Sequence, residues 1–173
     1  MVERRFPKMG FLFVAILAVS FLVLPGYRTK VQTTWQTRKT LSPANSIESL
    51  EAIELGKVEQ WILIRGEDRT RPVLLWLHGG PGQPLMPTAH HYDAELIKHF
   101  VVVHWDQRGA GKSYDPALSP EQLSVDQFIA DTYDLVQYLR QRFNVPKIYL
   151  IGHSWGSELG ALTVARYPEL FYA

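Results

Sequence analysis

The chain has 173 residues, enough for about one domain, and its 46% hydrophobic and 20% charged residues exclude a disordered or low-complexity protein. It contains no cysteine, which excludes a disulfide framework, a thiolate nucleophile and a cysteine-based zinc site. Residues 1–40 carry seven Lys or Arg and one Glu, whereas residues 41–173 carry eleven Lys or Arg and sixteen Asp or Glu, which leaves a net charge of +1. Residues 41–173 are acidic overall and lack the basic character that nucleic-acid binding requires, so we expect no nucleic-acid partner.

The N-terminus has the pattern of a membrane signal. A basic segment, residues 1–8, precedes nineteen uncharged residues, 9–27. As a helix the uncharged run would be about 28 Å long, close to the thickness of the bilayer core. Pro25 and Gly26 would end that helix. The run lacks a small-residue cleavage site and a lipid-accepting cysteine, so we expect an uncleaved transmembrane anchor, with a cleaved signal and a secreted product as the alternative.

The segment after the apolar run is polar and rich in Thr, and we interpret residues 28–45 as a tether. Lys and Arg lie on both sides of the run, so the charges leave the orientation in the membrane open. The globular part then comprises residues 46–173, where strand and helix patterns alternate.

The globular part begins with strand patterns. Two β-prone stretches, 47–55 and 58–65, surround Gly56 and Lys57 and predict a hairpin. Three continuous apolar runs predict short strands that are buried on both faces of a parallel sheet. These runs are residues 72–77, 100–105 and 147–151.

Helical patterns follow or separate the apolar runs. They cover residues 89–99, 123–143 and 158–167. In the second of them, Ser124 and Gln127 have the spacing of a capping box. The order β-β-β-α-β-α-β-α predicts an α/β fold with a mostly parallel sheet and flanking helices.

The first chemical motif is Gly152-His-Ser-Trp-Gly156, which follows a predicted strand and precedes a predicted helix. A G-x-S-x-G motif in this context is typical of a nucleophile elbow, in which Ser154 is exposed at the top of the sheet. Gly152 and Gly156 are expected for steric reasons, because side chains there would collide with the neighbouring strand and helix. The sequence therefore predicts Ser154 as a nucleophile.

The second motif, His78-Gly-Gly-Pro-Gly82, ends the first apolar run. Acyl transfer requires backbone N–H groups that point at the developing oxyanion. We expect one from Trp155, which follows the nucleophile, and one from Gly80, with Gly79 as the second choice. Glycine here lets the backbone approach a substrate closely, and we expect His78 to brace the loop.

The third motif, Trp105-Asp-Gln-Arg-Gly-Ala-Gly-Lys-Ser113, follows the second apolar run. It resembles a phosphate-binding loop, but that motif requires glycine where Asp106 stands. We therefore expect a structural role in which Asp106 and Arg108 hydrogen-bond within the loop beside the site.

The three motifs together, HGGPG, WDQRGAGKS and GHSWGS, resemble the α/β-hydrolase superfamily, and most closely its proline iminopeptidase-like branch, over roughly residues 46–173. The resemblance implies an eight-stranded, mostly parallel sheet, with Ser154 as nucleophile and Gly80 and Trp155 as oxyanion donors. It also implies a serine hydrolase that acts on a small-molecule ester, amide or peptide through an acyl-enzyme, without a metal or organic cofactor. Dehalogenases of this fold use an Asp nucleophile, so Ser154 argues against that activity.

The catalytic acid and base are not where this fold places them. They follow the nucleophile in the order Asp or Glu, then His. The residues after Ser154 include Glu158 and Glu169 but no histidine. We therefore expect the chain to be the N-terminal part of a longer hydrolase, poorly soluble and nearly inactive by itself. The alternative is a non-catalytic hydrolase-like binding protein, or a degenerate gene product that keeps the elbow.

Overall fold

The structure, a computed structural model, describes Leu41 and residues 44–172. The expected membrane anchor, residues 9–27, and most of the tether lie outside the described residues. Among the helices of the described part, none combines the length and the apolar composition needed to cross a bilayer. The anchor therefore stays a prediction from the sequence.

Five strands form one sheet in the described part of the chain. They are β1 (Ile47–Leu55), β2 (Val58–Gly66), β3 (Val73–Leu77), β4 (Val101–Asp106) and β5 (Tyr149–Gly152), in the spatial order β1-β2-β4-β3-β5. β3 is parallel to β4 and β5, whereas β2 is antiparallel to β1 and β4. The three predicted apolar runs therefore form the parallel part of the sheet, and the predicted hairpin adds two antiparallel pairings that make the sheet mixed. The hairpin joins the main sheet through the pairing of β2 with β4. Ile62 and Ile64 of β2 are fully buried against the core.

The hairpin itself is confirmed. Ile47 pairs with Gly66 at its open end and Leu55 pairs with Val58 next to the turn. Gly56 and Lys57 form the turn with φ angles of 53° and 64°. Positive φ at both positions is what a two-residue hairpin turn of matching twist requires.

Three α-helices are present in the described residues. They are α1 (Ala89–Tyr92), α2 (Val125–Phe143) and α3 (Trp155–Arg166). The predicted helix 89–99 is wrong beyond Tyr92, where the chain continues into a 3-10 turn at Leu96–Lys98. The cause is Asp93, which is fully buried and accepts a hydrogen bond from the Arg65 guanidinium at 2.5 Å. A continuous surface helix would not bring this carboxylate to its interior partner.

The starts of α2 and α3 differ from the predicted ones in informative ways. Ser124 caps α2 by accepting the Gln127 backbone N–H at 3.3 Å. The Gln127 side chain donates to Asp131 at 2.8 Å instead of returning to the cap, so only half of the predicted capping box forms. Helix α3 begins at Trp155 rather than at Glu158, because the turn at Ser154 leads directly into it.

The main core lies between one face of the sheet and helices α2 and α3. Alternate residues of β3 and β4 supply it from the sheet, and the helices supply Leu135, Leu139 and Leu159, all fully buried. A smaller cluster around Leu74 and Val102 occupies the opposite face. Because β3, β4 and β5 are parallel, their carboxyl ends meet at one edge of the sheet, and the three sequence motifs follow those ends.

Candidate active site

Ser154 occupies a sharp turn between β5 and α3. Its φ and ψ angles are 53° and −121°, a region that residues with a side chain rarely adopt. The residue is exposed, and its hydroxyl makes no capping hydrogen bond to α3. The turn is closed by two backbone bonds, from Gly156 N–H to the His153 carbonyl at 2.9 Å and from Ser157 N–H to the Ser154 carbonyl at 2.8 Å. The strained backbone thus holds the hydroxyl out of the helix.

The two outer glycines of the motif are required by close backbone packing. A Cβ atom on Gly156 would overlap the carbonyl group of Leu77, the last residue of β3. A Cβ atom on Gly152 would overlap the carbonyl group of Gly156. The first turn of α3 therefore packs directly against the ends of β3 and β5. This packing places the Ser154 turn at the carboxyl edge of the sheet.

The His78–Gly82 loop passes beside this turn. A Cβ atom on Gly79 would lie 3.0 Å from Nδ1 of His153 and 3.1 Å from Cβ of Ser154, so the loop backbone approaches the elbow closely. Gly80 has a φ of 120°, and the Gly80–Pro81 peptide bond is cis. Gly82 also has positive φ, 95°, and faces open space. The structure therefore places the glycine-rich loop next to Ser154.

His78 is buried beneath the loop, and both of its ring nitrogens are used. Its Nε2 accepts the backbone N–H of Gln107 at 3.1 Å, so the proton lies on Nδ1, which donates to the Gly79 carbonyl at 2.8 Å. Burial lowers the pKa of His78 below its ordinary value. The ring is therefore a neutral brace between the loop and the residue that follows β4.

Asp106 and Arg108 follow β4 but face different surroundings. One carboxylate oxygen of Asp106 accepts the Lys112 backbone N–H at 2.7 Å, and the other has no hydrogen-bond partner among the described residues. Burial raises the pKa of Asp106 to about 6. Arg108 forms two hydrogen bonds of 2.8 Å with the buried carboxylate of Asp131 in α2. It also donates to the Gly56 carbonyl of the hairpin turn at 3.2 Å.

The residue between them, Gln107, was not predicted from the sequence as a site residue. It is 1% exposed, and its side-chain carbonyl accepts the indole N–H of Trp155 at 3.0 Å. Its side-chain amide donates to the backbone carbonyl of His78 at 3.1 Å. Its position inside the third motif was the available signal, but nothing in the spacing indicates which residues it contacts.

The described residues also contain a buried histidine–carboxylate pair away from the elbow. Nε2 of His104 lies 3.2 Å from the Asp93 carboxylate, which is also paired with Arg65. His104 is buried within β4, and its ring stacks on Trp76 at 5.4 Å. Because Asp93 also pairs with Arg65, we interpret the three side chains as one interior hydrogen-bonded network.

A family sequence model described as the alpha/beta hydrolase fold matches residues 72–172. The chain is 43% identical over 127 residues to the probable aminopeptidase YbaC of Bacillus subtilis (strain 168), covering 73% of this chain and 40% of that protein. It is 30% identical over 118 residues to a proline iminopeptidase of Lactobacillus helveticus, covering 64% of this chain and 37% of that protein. The chain thus spans about 40% of the length of these relatives.

Solved structures show the same architecture. The proline iminopeptidase-related protein of Thermus thermophilus superposes with a TM-score of 0.61 at 27% identity, over 71% of this chain and 42% of that one. The epoxide hydrolase VrEH1 of Vigna radiata gives a TM-score of 0.62 at 24% identity, over 73% of this chain and 38% of that one. At that identity the second similarity is evidence for the fold alone.

Proposed function

The chain belongs to the α/β-hydrolase family, and on that premise we propose that it carries the nucleophile and the oxyanion donors of a serine hydrolase. The observation that supports this most directly is the backbone of Ser154, whose φ of 53° and ψ of −121° keep an exposed hydroxyl beside Gly79. Strain of this kind persists where the surrounding structure imposes it, and it is typical of active sites. The first turn of the twelve-residue helix α3 adds a partial positive charge at the same place.

The proposed reaction begins when the Ser154 hydroxyl oxygen attacks the carbonyl carbon of an ester or amide and gives up its proton to a general base. The carbonyl electron pair moves to oxygen, and the backbone N–H groups of Trp155 and Gly80 stabilise the resulting oxyanion. Collapse of the tetrahedral intermediate expels the alcohol or amine, which takes a proton, and leaves an acyl-serine. Water then hydrolyses that ester and restores the hydroxyl of Ser154.

We assign the base and its acidic partner to no residue of this chain. In this fold they follow the nucleophile along the chain, and the residues between Ser154 and Ala173 include no histidine. The chain also spans only about 40% of the length of YbaC. His78 is unsuitable as the base, because both ring nitrogens are already hydrogen-bonded below the loop.

The substrate class we propose is a peptide or related amide, with small esters as the alternative. The support is that the relative at 43% identity is named a probable aminopeptidase and that several relatives at 30% or more are named proline iminopeptidases. Ser154 is also a suitable nucleophile for a carbonyl carbon, since an acyl-serine is an ordinary ester that water can cleave.

We further propose that residues 9–27 anchor the protein to a membrane, which extraction of membranes with alkaline carbonate tests directly.

A fluorophosphonate probe tests the proposed nucleophile. The protein, expressed through to the stop codon of its own gene, is treated with the probe, and the adduct is mapped by peptide mass spectrometry. We expect phosphonylation of Ser154, with loss of fluoride, in the wild type and in Ser157→Ala, and none in Ser154→Ala. Ser157 is a matched control because it is exposed and lies three residues further along α3.

Labelling that persists in Ser154→Ala, or labelling no greater than that of heat-denatured protein, would contradict the proposal. The second outcome would favour the non-catalytic binding protein instead. In that case the elbow and its loop are retained as structure without an activated serine.

A further inference from the structure

We infer that Gln107 is a positioning residue of the proposed active site. Its side chain and backbone fix the His78–Gly82 loop and the Ser154–Trp155 turn relative to each other. The inference rests on the proposed function, since positioning has catalytic meaning only if the N–H groups of Gly80 and Trp155 bind an oxyanion.

Gln107 contacts both elements at once. Its backbone N–H donates to Nε2 of His78 at 3.1 Å, and its side-chain amide donates to the His78 carbonyl at 3.1 Å. Its side-chain carbonyl accepts the indole N–H of Trp155 at 3.0 Å. One residue therefore makes two bonds to the loop and one to the turn.

These partners admit a single orientation of the Gln107 side-chain amide. The His78 carbonyl can only accept a hydrogen bond, and the indole N–H of Trp155 can only donate one. Rotating the amide by 180° would place two acceptors together and two donors together. Because Gln107 is buried, water is not available to satisfy those groups, so the alternative orientation is disfavoured.

The hydrogen bonds continue to Gly79, the residue beside the proposed second oxyanion donor. The proton on Nδ1 of His78 is donated to the Gly79 carbonyl at 2.8 Å, and Gly79 precedes Gly80. The hydrogen-bonded series thus runs from Trp155 through Gln107 and His78 to Gly79. An oxyanion must be about 2.7–3.1 Å from both donors, and a displacement of about 1 Å costs roughly 100-fold in rate.

The neighbouring residues do not make this connection. Arg108 pairs with Asp131 and with hairpin carbonyls, and the Asp106 carboxylate accepts from the Lys112 backbone. Both shape the segment after β4, but no hydrogen bond from either side chain to the elbow is found among the described residues.

The chain offers a closely matched control for Gln107. Gln60 is also fully buried, its side-chain carbonyl accepts an indole N–H from Trp105 at 3.0 Å, and its amide donates to Asp131 at 2.7 Å. Its hydrogen bonds stay within the hairpin, β4 and α2 and do not reach the elbow or the loop. Gln60→Leu therefore removes the same kinds of bond as Gln107→Leu without touching the proposed donors.

The experiment compares the wild type, Gln107→Leu and Gln60→Leu, each kept well below its unfolding temperature. The first readout is the second-order rate constant for fluorophosphonate labelling of Ser154. We expect Gln107→Leu to lower it about 10- to 100-fold and Gln60→Leu to change it less than about 2-fold. A loss of equal size in both variants, or no loss in Gln107→Leu, would overturn the inference.

The second readout does not depend on activity. In ¹H–¹⁵N spectra we expect the backbone amides of Gly80 and Trp155 and the Trp155 indole to shift in Gln107→Leu and not in Gln60→Leu. Unchanged Gly80 and Trp155 amides in Gln107→Leu would overturn the inference whatever the labelling result. If these resonances shift but wild-type Ser154 is never labelled, the positioning geometry stands and the proposed hydrolase function fails.

Discussion

The carbonyl group of Leu77 occupies the space that a side chain on Gly156 would need. Leu77 ends β3 and Gly156 lies in the first turn of α3, so the two elements pack backbone against backbone. The same Leu77 carbonyl accepts the N–H of His153 at 3.1 Å. The position of the Ser154 turn therefore requires that residue 156 has no side chain.

Gly156→Ala is expected to destabilise the protein by about 3 kcal/mol or more, because the sheet holds the Leu77 carbonyl in place and the overlap forces the helix outward. Gly160→Ala in the same helix is the control. There the nearest atom to the new Cβ is the end of the Leu150 side chain at 3.3 Å, and alanine favours the helix, so we expect a change within about 1 kcal/mol. Urea unfolding measures both, and equal losses would contradict the close-packing argument.

Ser154→Gly is expected to be more stable than Ser154→Ala by about 1 kcal/mol. Both variants lack the hydroxyl, but only glycine relieves the strain at a φ of 53° and a ψ of −121°. At Ser157, inside the same helix, the order of the two replacements should reverse, because glycine is about 1 kcal/mol worse than alanine in a helix. Thermal unfolding of the four variants gives the comparison. An alanine variant as stable as the glycine variant at position 154 would mean that the turn is unstrained.

Asp106→Asn is expected to stabilise the protein above neutral pH and to have little effect near pH 4. Burial raises the folded-state pKa of Asp106 from 3.8 to about 6. The favourable contribution of the protonated carboxyl to the free energy of unfolding is therefore fully present below pH 3.8 and is lost as the pH rises through 6. The free energy of unfolding of Asp106→Asn should therefore exceed that of the wild type by an amount that grows between pH 4 and pH 7 to about 2–3 kcal/mol.

Denaturant unfolding at pH 4, 5, 6, 7 and 8 measures this difference. The depressed pKa of His78 acts in the opposite direction and lowers the stability below pH 6.5, but it is common to both proteins and cancels in the difference. A gain that does not vary with pH would show that Asp106 keeps an ordinary pKa.

Arg108→Lys is expected to cost about 2–4 kcal/mol, because a lysine ammonium cannot form the two-point contact with the buried Asp131 carboxylate or reach the hairpin carbonyls as well. Arg166→Lys, which alters the exposed pair with Asp126 at 3.1 Å, should change the stability by less than about 0.5 kcal/mol. Differential scanning calorimetry compares the two. Similar melting temperatures would mean that the Arg108 contacts add little to stability.

Several features of the fold follow from local sequence pattern. The Gly56-Lys57 turn, the apolar runs that become β3 and β4, and helix α2 were all predictable because neighbouring residues decide them. The family was likewise predictable from three motifs, since glycine spacing reports where the backbone must come close. The length of α1 was not, because it depends on the ion pair between Asp93 and the distant Arg65.

Local sequence pattern was therefore sufficient to predict the loops of the candidate site, with Ser154 as the proposed nucleophile and a glycine-rich loop beside it. Long-range contacts fix how those loops are held together. Gln107 and Trp155 are 48 positions apart, and Gln107 and His78 are 29 apart, so no local pattern records their hydrogen bonds. Long-range contacts also fix the antiparallel pairing of β2 with β4. A strand pairs with the neighbour that completes its backbone hydrogen bonds while its apolar side chains reach the core.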